Sequence, residues 1–255
     1  MGKRLVFLLL LFFNFSFAEL HAGWYQCYNY TGKIGDYPVT FSIQITPGFF
    51  GEKEKQHFNI NGVYQYEKYN NPIALEGVID FETGKGTLYE KTGNDYTASF
   101  FINFDEALCS GTWIDSKTKK SLPFQLTKIS MLTDTTSSNS FGNIDITQTS
   151  SLQHYYFVGV YKKVAGADRA EMEQLKIIHK RSNRLFQTIN FKSVLSQTGN
   201  VSTIIFDNVT VTDSKNRSFI VSNNVGRAGG YMQVRFDLKK NKFILNPEPI
   251  MEGWQ

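Results

Sequence analysis

Few residues in this sequence combine the types and spacing that chemistry requires. The most distinctive stretch is 223–231, Asn-Asn-Val-Gly-Arg-Ala-Gly-Gly-Tyr. Its glycines accept positive φ at little steric cost, so the stretch reads as a loop between two strands. Arg227 and Tyr231 are residue types that anchor protein interfaces, and an arginine can grip a carboxylate with two hydrogen bonds. Arg227, Gly229, Gly230 and Tyr231 are therefore the candidate partner-binding residues. Other candidates are weaker. Asp105 and Glu106 adjoin in a turn, whereas glycosidic chemistry needs two carboxylates held apart across a cleft. Asp207, Asn208, Asp213 and Asn216 offer oxygens of the kind calcium prefers. Asp213-Ser-Lys-Asn216, however, has neither the glycine nor the alternation of a calcium loop. His21, His57, His154 and His179 are scattered without metal-ligand spacing. No Gly-x-Ser-x-Gly elbow and no phosphate-binding glycine loop is present. The expectation is a protein that is not an enzyme, uses no cofactor and holds no metal.

The elements that position these residues begin after a leader. Lys3 and Arg4 precede an apolar run that closes on Ser-Phe-Ala at 16–18, the pattern of a cleaved secretory signal. A run this short falls below the thickness of a bilayer, and no later segment reads as a membrane span. The mature chain is expected in the periplasm or outside the cell. The formal charge is +4, of which Lys3 and Arg4 supply two, so nothing favours nucleic-acid binding. Two cysteines remain, Cys27 and Cys109. An even pair in an oxidising compartment is expected to form a disulfide, worth about 4 kcal/mol for so long a loop.

Residues 19–130 read as short strands separated by turns. Tyr37, Val39, Phe41, Ile43 and Ile45 alternate with Pro38, Thr40, Ser42 and Gln44, which predicts a strand with one buried and one wet face. Further runs at 24–30, 58–66, 73–81, 86–90, 96–104, 108–114 and 122–129 bring the total to eight. Asn-Asn-Pro at 70–72, Gly84, Gly93-Asn94 and Ser116-Lys117 separate them. Eight strands without a helix predict an antiparallel meander or barrel, of a size that can hold one small ligand. Residues 131–152 are polar and small and read as a linker. Residues 153–255 carry strands again, at 155–161, 175–179, 185–191, 203–212, 218–221, 231–238 and 243–245, with an acidic, helix-permissive turn at 167–172. The fold class is all-β: an N-terminal meander or barrel and a C-terminal antiparallel domain.

The C-terminal segment 175–250 resembles periplasmic proteins related to the I-type lysozyme inhibitors, some of which are immunity proteins against peptidoglycan-cleaving toxins. The resemblance rests on Leu175-Lys-Ile-Ile178 leading into Phe186-Gln-Thr-Ile189. It continues with Phe219-Ile-Val221, the Asn/Gly-rich stretch 223–230, Tyr231-Met-Gln-Val-Arg-Phe-Asp237 and Lys242-Phe-Ile244. Where that family carries a calcium loop, this chain has Val211-Thr-Asp-Ser-Lys-Asn216. The N-terminal part resembles small β domains of envelope proteins, from which no activity carries over. The resemblance implies a non-enzymatic binding protein with a protein partner, an inhibitor of a peptidoglycan hydrolase. The alternatives are a carrier of a small apolar ligand in the N-terminal barrel, or a structural adaptor of the envelope.

Overall fold

The alternation of the N-terminal half becomes a closed barrel in the computed structural model. Its strands are β1 (Gln26–Ile34), β2 (Tyr37–Ile45), β3 (Ile60–Tyr66), β4 (Ile73–Ile79), β5 (Lys85–Thr92), β6 (Asp95–Phe104), β7 (Leu108–Asp115) and β8 (Ser121–Thr133). Each pairs antiparallel with the next, and β1 pairs with β8 to close the ring. Closure satisfies both open edges of the meander. The structure describes residues 26–45, 58–80, 82–133, 143–163, 170–191, 197–198, 205–225, 228–246, 248 and 250–251. The leader at 1–18, His21 and His57 lie outside the described residues.

The barrel interior is built from the inward half of each alternation. Phe100 of β6 lies edge-on to Phe41 of β2, Tyr64 of β3 and Phe124 of β8, each with ring centroids 5.4 Å apart. Edge-to-face contact is a favoured arrangement for such rings, and it fills the middle of the barrel with side chains from four strands. β6 and β7 come together closely at Gly111 (φ 153°), where a Cβ would lie 1.9 Å from the Phe101 carbonyl oxygen.

The C-terminal half contributes two sheets. β9 (Ile144–Ser151), β10 (Tyr155–Lys163), β11 (Ala170–His179) and β12 (Arg184–Asn190) form one, in the order β12-β11-β10-β9. β13 (Gln197–Thr198), β14 (Val209–Asp213), β15 (Ser218–Val225), β16 (Ala228–Asp237), β17 (Lys242–Leu245) and β18 (Ile250–Met251) form the other, with β14 beside β15 and β18 beside β16. A 3-10 turn, Ile205–Asp207, precedes β14. Rings from the two sheets share one core: Phe157 meets Phe219 at 4.5 Å and Tyr155 meets Phe243 at 5.6 Å.

That core continues into the outer face of the barrel, where Cys27, Val63 and Leu132 join it. Polar contacts cross the same junction. Gln44 Oε1 accepts the Ile205 N–H at 2.8 Å, and Asn29 Nδ2 donates to the Asp145 carbonyl at 2.6 Å. The second half of β2's polar face, expected to be wet, is therefore covered: Ser42 is 8% exposed and Gln44 0%, while Pro38 stays exposed.

Two stretches differ from their sequence reading. The polar segment 131–152 holds the end of β8 and the whole of β9. Ile144 and Ile146 are buried there, and β10 supplies the hydrogen-bonding partner; residues 134–142 lie outside the described residues. The segment 167–172 ends in strand, because Ala170 and Met172 continue the buried alternation of β11 past a bulge opposite Val160 and Tyr161. Among the described residues, no helix is long and apolar enough to cross a membrane.

The expected disulfide is absent: Cys27 and Cys109 are both buried and are not bonded to each other. The reason is strand parity. Cys27 on β1 faces outward into the core shared with the C-terminal sheets. Cys109 on β7 faces into the barrel. The barrel wall separates the two side chains, so no rotamer joins them.

Candidate functional site

The 223–231 stretch is a hairpin rather than a free loop. Asn223, Asn224 and Val225 of β15 pair with Gly230, Gly229 and Ala228 of β16. Gly226 and Arg227, between the paired residues, lie outside the described residues. Gly229 and Gly230 therefore sit in the stem of the hairpin, and Gly230 also pairs with Met251 of β18. Tyr231 is half-buried, between Ser222 and Ile250 in the ladder. It is neither a core tyrosine nor a fully presented one.

The carboxylates noted in the sequence fold onto themselves. Asp105 caps its own turn through the Ala107 N–H at 3.1 Å, and Glu106 pairs with Lys128 at 2.7 Å. Asp213 accepts the Asn216 N–H at 2.9 Å and its Nδ2 at 2.6 Å. Asn208 turns inward to Tyr161 Oη at 2.8 Å, away from Asp213. Among the described residues, no group of three or more His, Cys, Asp or Glu side chains could hold a metal ion. The fold does bring His154 and His179 together, with rings stacked at 6.4 Å and 15°.

The arrangement with the most chemical content lies inside the barrel, at the end ringed by short turns. Glu90 of β5 shares the inward parity of Leu88 and is 7% exposed. Its Oε1 accepts from Trp113 Nε1 of β7 at 2.8 Å and from the Tyr64 hydroxyl of β3. β3 and β7 stand four strands apart in a ring of eight, so opposite walls meet at one oxygen. Oε2 accepts from the Thr97 hydroxyl at 3.0 Å. Thr97 reaches it because the β5–β6 register slips between Glu90 and Lys91, leaving Thr97 as the extra residue of a bulge. Bulges commonly re-aim a side chain in this way. Burial, and then the neighbouring Glu90 carboxylate, push the Tyr64 phenol far above its ordinary range. Tyr64 therefore stays protonated and acts as a donor.

Around this carboxylate, Tyr66, Ile73, Trp113 and Leu122 are only partly buried. Tyr37, on the inward parity of β2, is 52% exposed. Its ring stands perpendicular to Tyr66 at 6.1 Å and 88°, and Tyr66 meets Tyr64 at 5.5 Å and 69°. The turn at Gly35 (φ 57°) is held to β8 through its N–H on the Pro123 carbonyl at 2.7 Å, which stiffens the rim. The result is a barrel mouth with aromatic walls and a carboxylate floor.

None of these mouth residues was singled out in the sequence, although a visible signal existed. Glu90 places a charge on the apolar side of an otherwise regular alternation. Compared with known proteins, the chain matches no family model, no curated protein and no solved structure.

Proposed function

We propose that this chain is a secreted, non-enzymatic binding protein whose ligand seat is the barrel mouth over Glu90. One observation carries the reading: inward-facing Tyr37, Tyr66 and Trp113 remain partly open to solvent directly above a buried, hydrogen-bonded carboxylate. Small-molecule sites are typically concave and aromatic with a few placed polar groups, and the mouths of β-barrels are among their usual locations. The packed rings around Phe100 speak against an apolar ligand threaded through the barrel, so the carrier alternative is confined to the end of the barrel. The test is a small-molecule fragment screen on isotope-labelled protein, following the Trp113 indole N–H. The reading expects fragments that shift this resonance and compete with one another. A screen whose hits all leave Trp113 unmoved would refute it.

A second reading keeps a protein partner, such as a peptidoglycan hydrolase, for the β15–β16 hairpin. It is supported by Tyr231, whose half-buried ring stands four residues from Arg227 in the sequence. Its test is capture of a hydrolase from envelope extract, followed by Arg227→Ala and Tyr231→Ala. The reading requires at least one variant to lose about thirtyfold in affinity with its melting temperature kept, about 2 kcal/mol.

A further inference from the structure

We infer that the barrel mouth selects small methylated ammonium ions, with Glu90 as the charge partner and Tyr37, Tyr66 and Trp113 as the surrounding rings. The inference rests on the mouth being the ligand seat and adds the chemical class.

The argument begins with an imbalance of charge. Buried carboxylates are ordinarily paired with a cation or bound to a metal. Every hydrogen-bonding partner of Glu90 is neutral: a phenol, an indole and a hydroxyl. No Lys or Arg among the described residues forms an ion pair with it. The lysines at this end of the barrel, Lys33, Lys68, Lys91, Lys117, Lys119 and Lys120, are exposed, where salt screens them, and Lys91 is paired with Glu76 on the outer face. The three donors hold the carboxylate in place and leave its negative charge uncompensated at the base of the mouth.

The walls above that charge favour a cation as well. Faces of tyrosine and tryptophan attract a cation within about 6 Å of the ring centroid, most strongly when it is desolvated. Tyr37 and Tyr66 present two perpendicular rings, while Trp113 stands on the opposite wall. The hydrogen-bond count then narrows the class. A carboxylate offers about four lone-pair sites, and three are already used here. A primary ammonium carries three N–H donors and would leave most of them unmatched in a ring-lined mouth. A fully methylated ammonium has none to match and needs only the field of the carboxylate and the ring faces.

The experiment is calorimetric titration of the purified protein with three probes. They are choline, its uncharged isostere in which carbon replaces nitrogen (dimethylbutanol), and ethanolamine as the primary ammonium. Choline is expected to bind, with each of the other two at least tenfold weaker. Glu90→Gln retains an oxygen for Tyr64 and Trp113, and it should keep the melting temperature while erasing the preference for choline over the isostere. Trp113→Phe gives an independent check: it should weaken choline more than the isostere. Dimethylbutanol binding as tightly as choline would overturn the cationic class while leaving the mouth as an apolar seat. Ethanolamine binding as tightly as choline would overturn the methylated class. Choline binding unaffected by Glu90→Gln, or no binding by any probe at millimolar concentration, would overturn the inference. The mouth itself would then be judged separately by the Trp113 fragment screen.

Discussion

Replacing Gln44 by leucine tests whether the barrel and the C-terminal sheets are one cooperative structure. Gln44 is fully buried on the outer face of β2, and its Oε1 accepts the N–H of Ile205, itself 0% exposed, at 2.8 Å. Leucine has a similar volume and no acceptor. The Ile205 N–H would then be buried without a partner, at a cost of about 1–3 kcal/mol. Added apolar contact recovers part of this, so the net loss expected is about 2 kcal/mol. For a chain of this size that lowers the melting temperature by about 4–8 °C. Urea unfolding followed by circular dichroism measures it. Because Cys27, Val63 and Leu132 belong to the C-terminal core, wild type and variant should each unfold in one transition. Unaltered stability would refute the junction hydrogen bond. Two separate transitions in the wild type would refute the shared core.

Three further outcomes are expected. Thiol titration of protein unfolded without reductant should find two free cysteines, and native protein should react slowly at both, since each is buried; a recovered disulfide would contradict their placement on opposite faces of the wall. Gly111→Ala should destabilise by about 3 kcal/mol or more in urea titration, since its Cβ would press on the Phe101 carbonyl oxygen at 1.9 Å; a neutral effect would refute the close approach of β6 and β7. Stability should also fall in alkali. Burial pushes Cys109 from 9.0 up to about 12, and burial, then Glu106 and Cys27, raise Tyr28 from 10.0 to about 12. The unfolded chain releases these protons first, so stability holds below about pH 9 and declines up to about pH 12, by as much as about 1.4 kcal/mol per pH unit for each group. A level profile across that window, measured by urea titration at each pH, would contradict their burial.

The barrel was legible in the sequence because its information is local. Tyr37 to Ile45 alternates strictly, the turns carry glycine and asparagine, and eight such units without a helix have few ways to hide their edges. What covers a strand is not local. Ser42 and Gln44 look wet on any count of alternation, and only the C-terminal sheets make them interior. β9 carries little local signal because Ile144 and Ile146 are its only large apolar residues; its strand character depends on pairing with β10. The number of cysteines and an oxidising compartment favour pairing, but parity along the strands decides the question. Cys27 alternates against Tyr28 and Tyr30, whereas Cys109 shares the inward side with Trp113.

Glu90 is a feature of the candidate site that local alternation does reach. In Lys85–Thr92 the inward positions fall at Leu88 and Glu90, so alternation alone assigns a carboxylate to the interior. An isolated buried charge is among the costliest features a small core can carry. A strand that keeps one must supply donors, and Trp113, Tyr64 and Thr97 supply them from three other strands. Those partners could not be named in advance, because they are set by barrel closure and by the bulge at Thr97 rather than by sequence spacing. The inward charge itself could have been, and it marks the end of the barrel where solvent-facing aromatic rings remain without a covering element among the described residues.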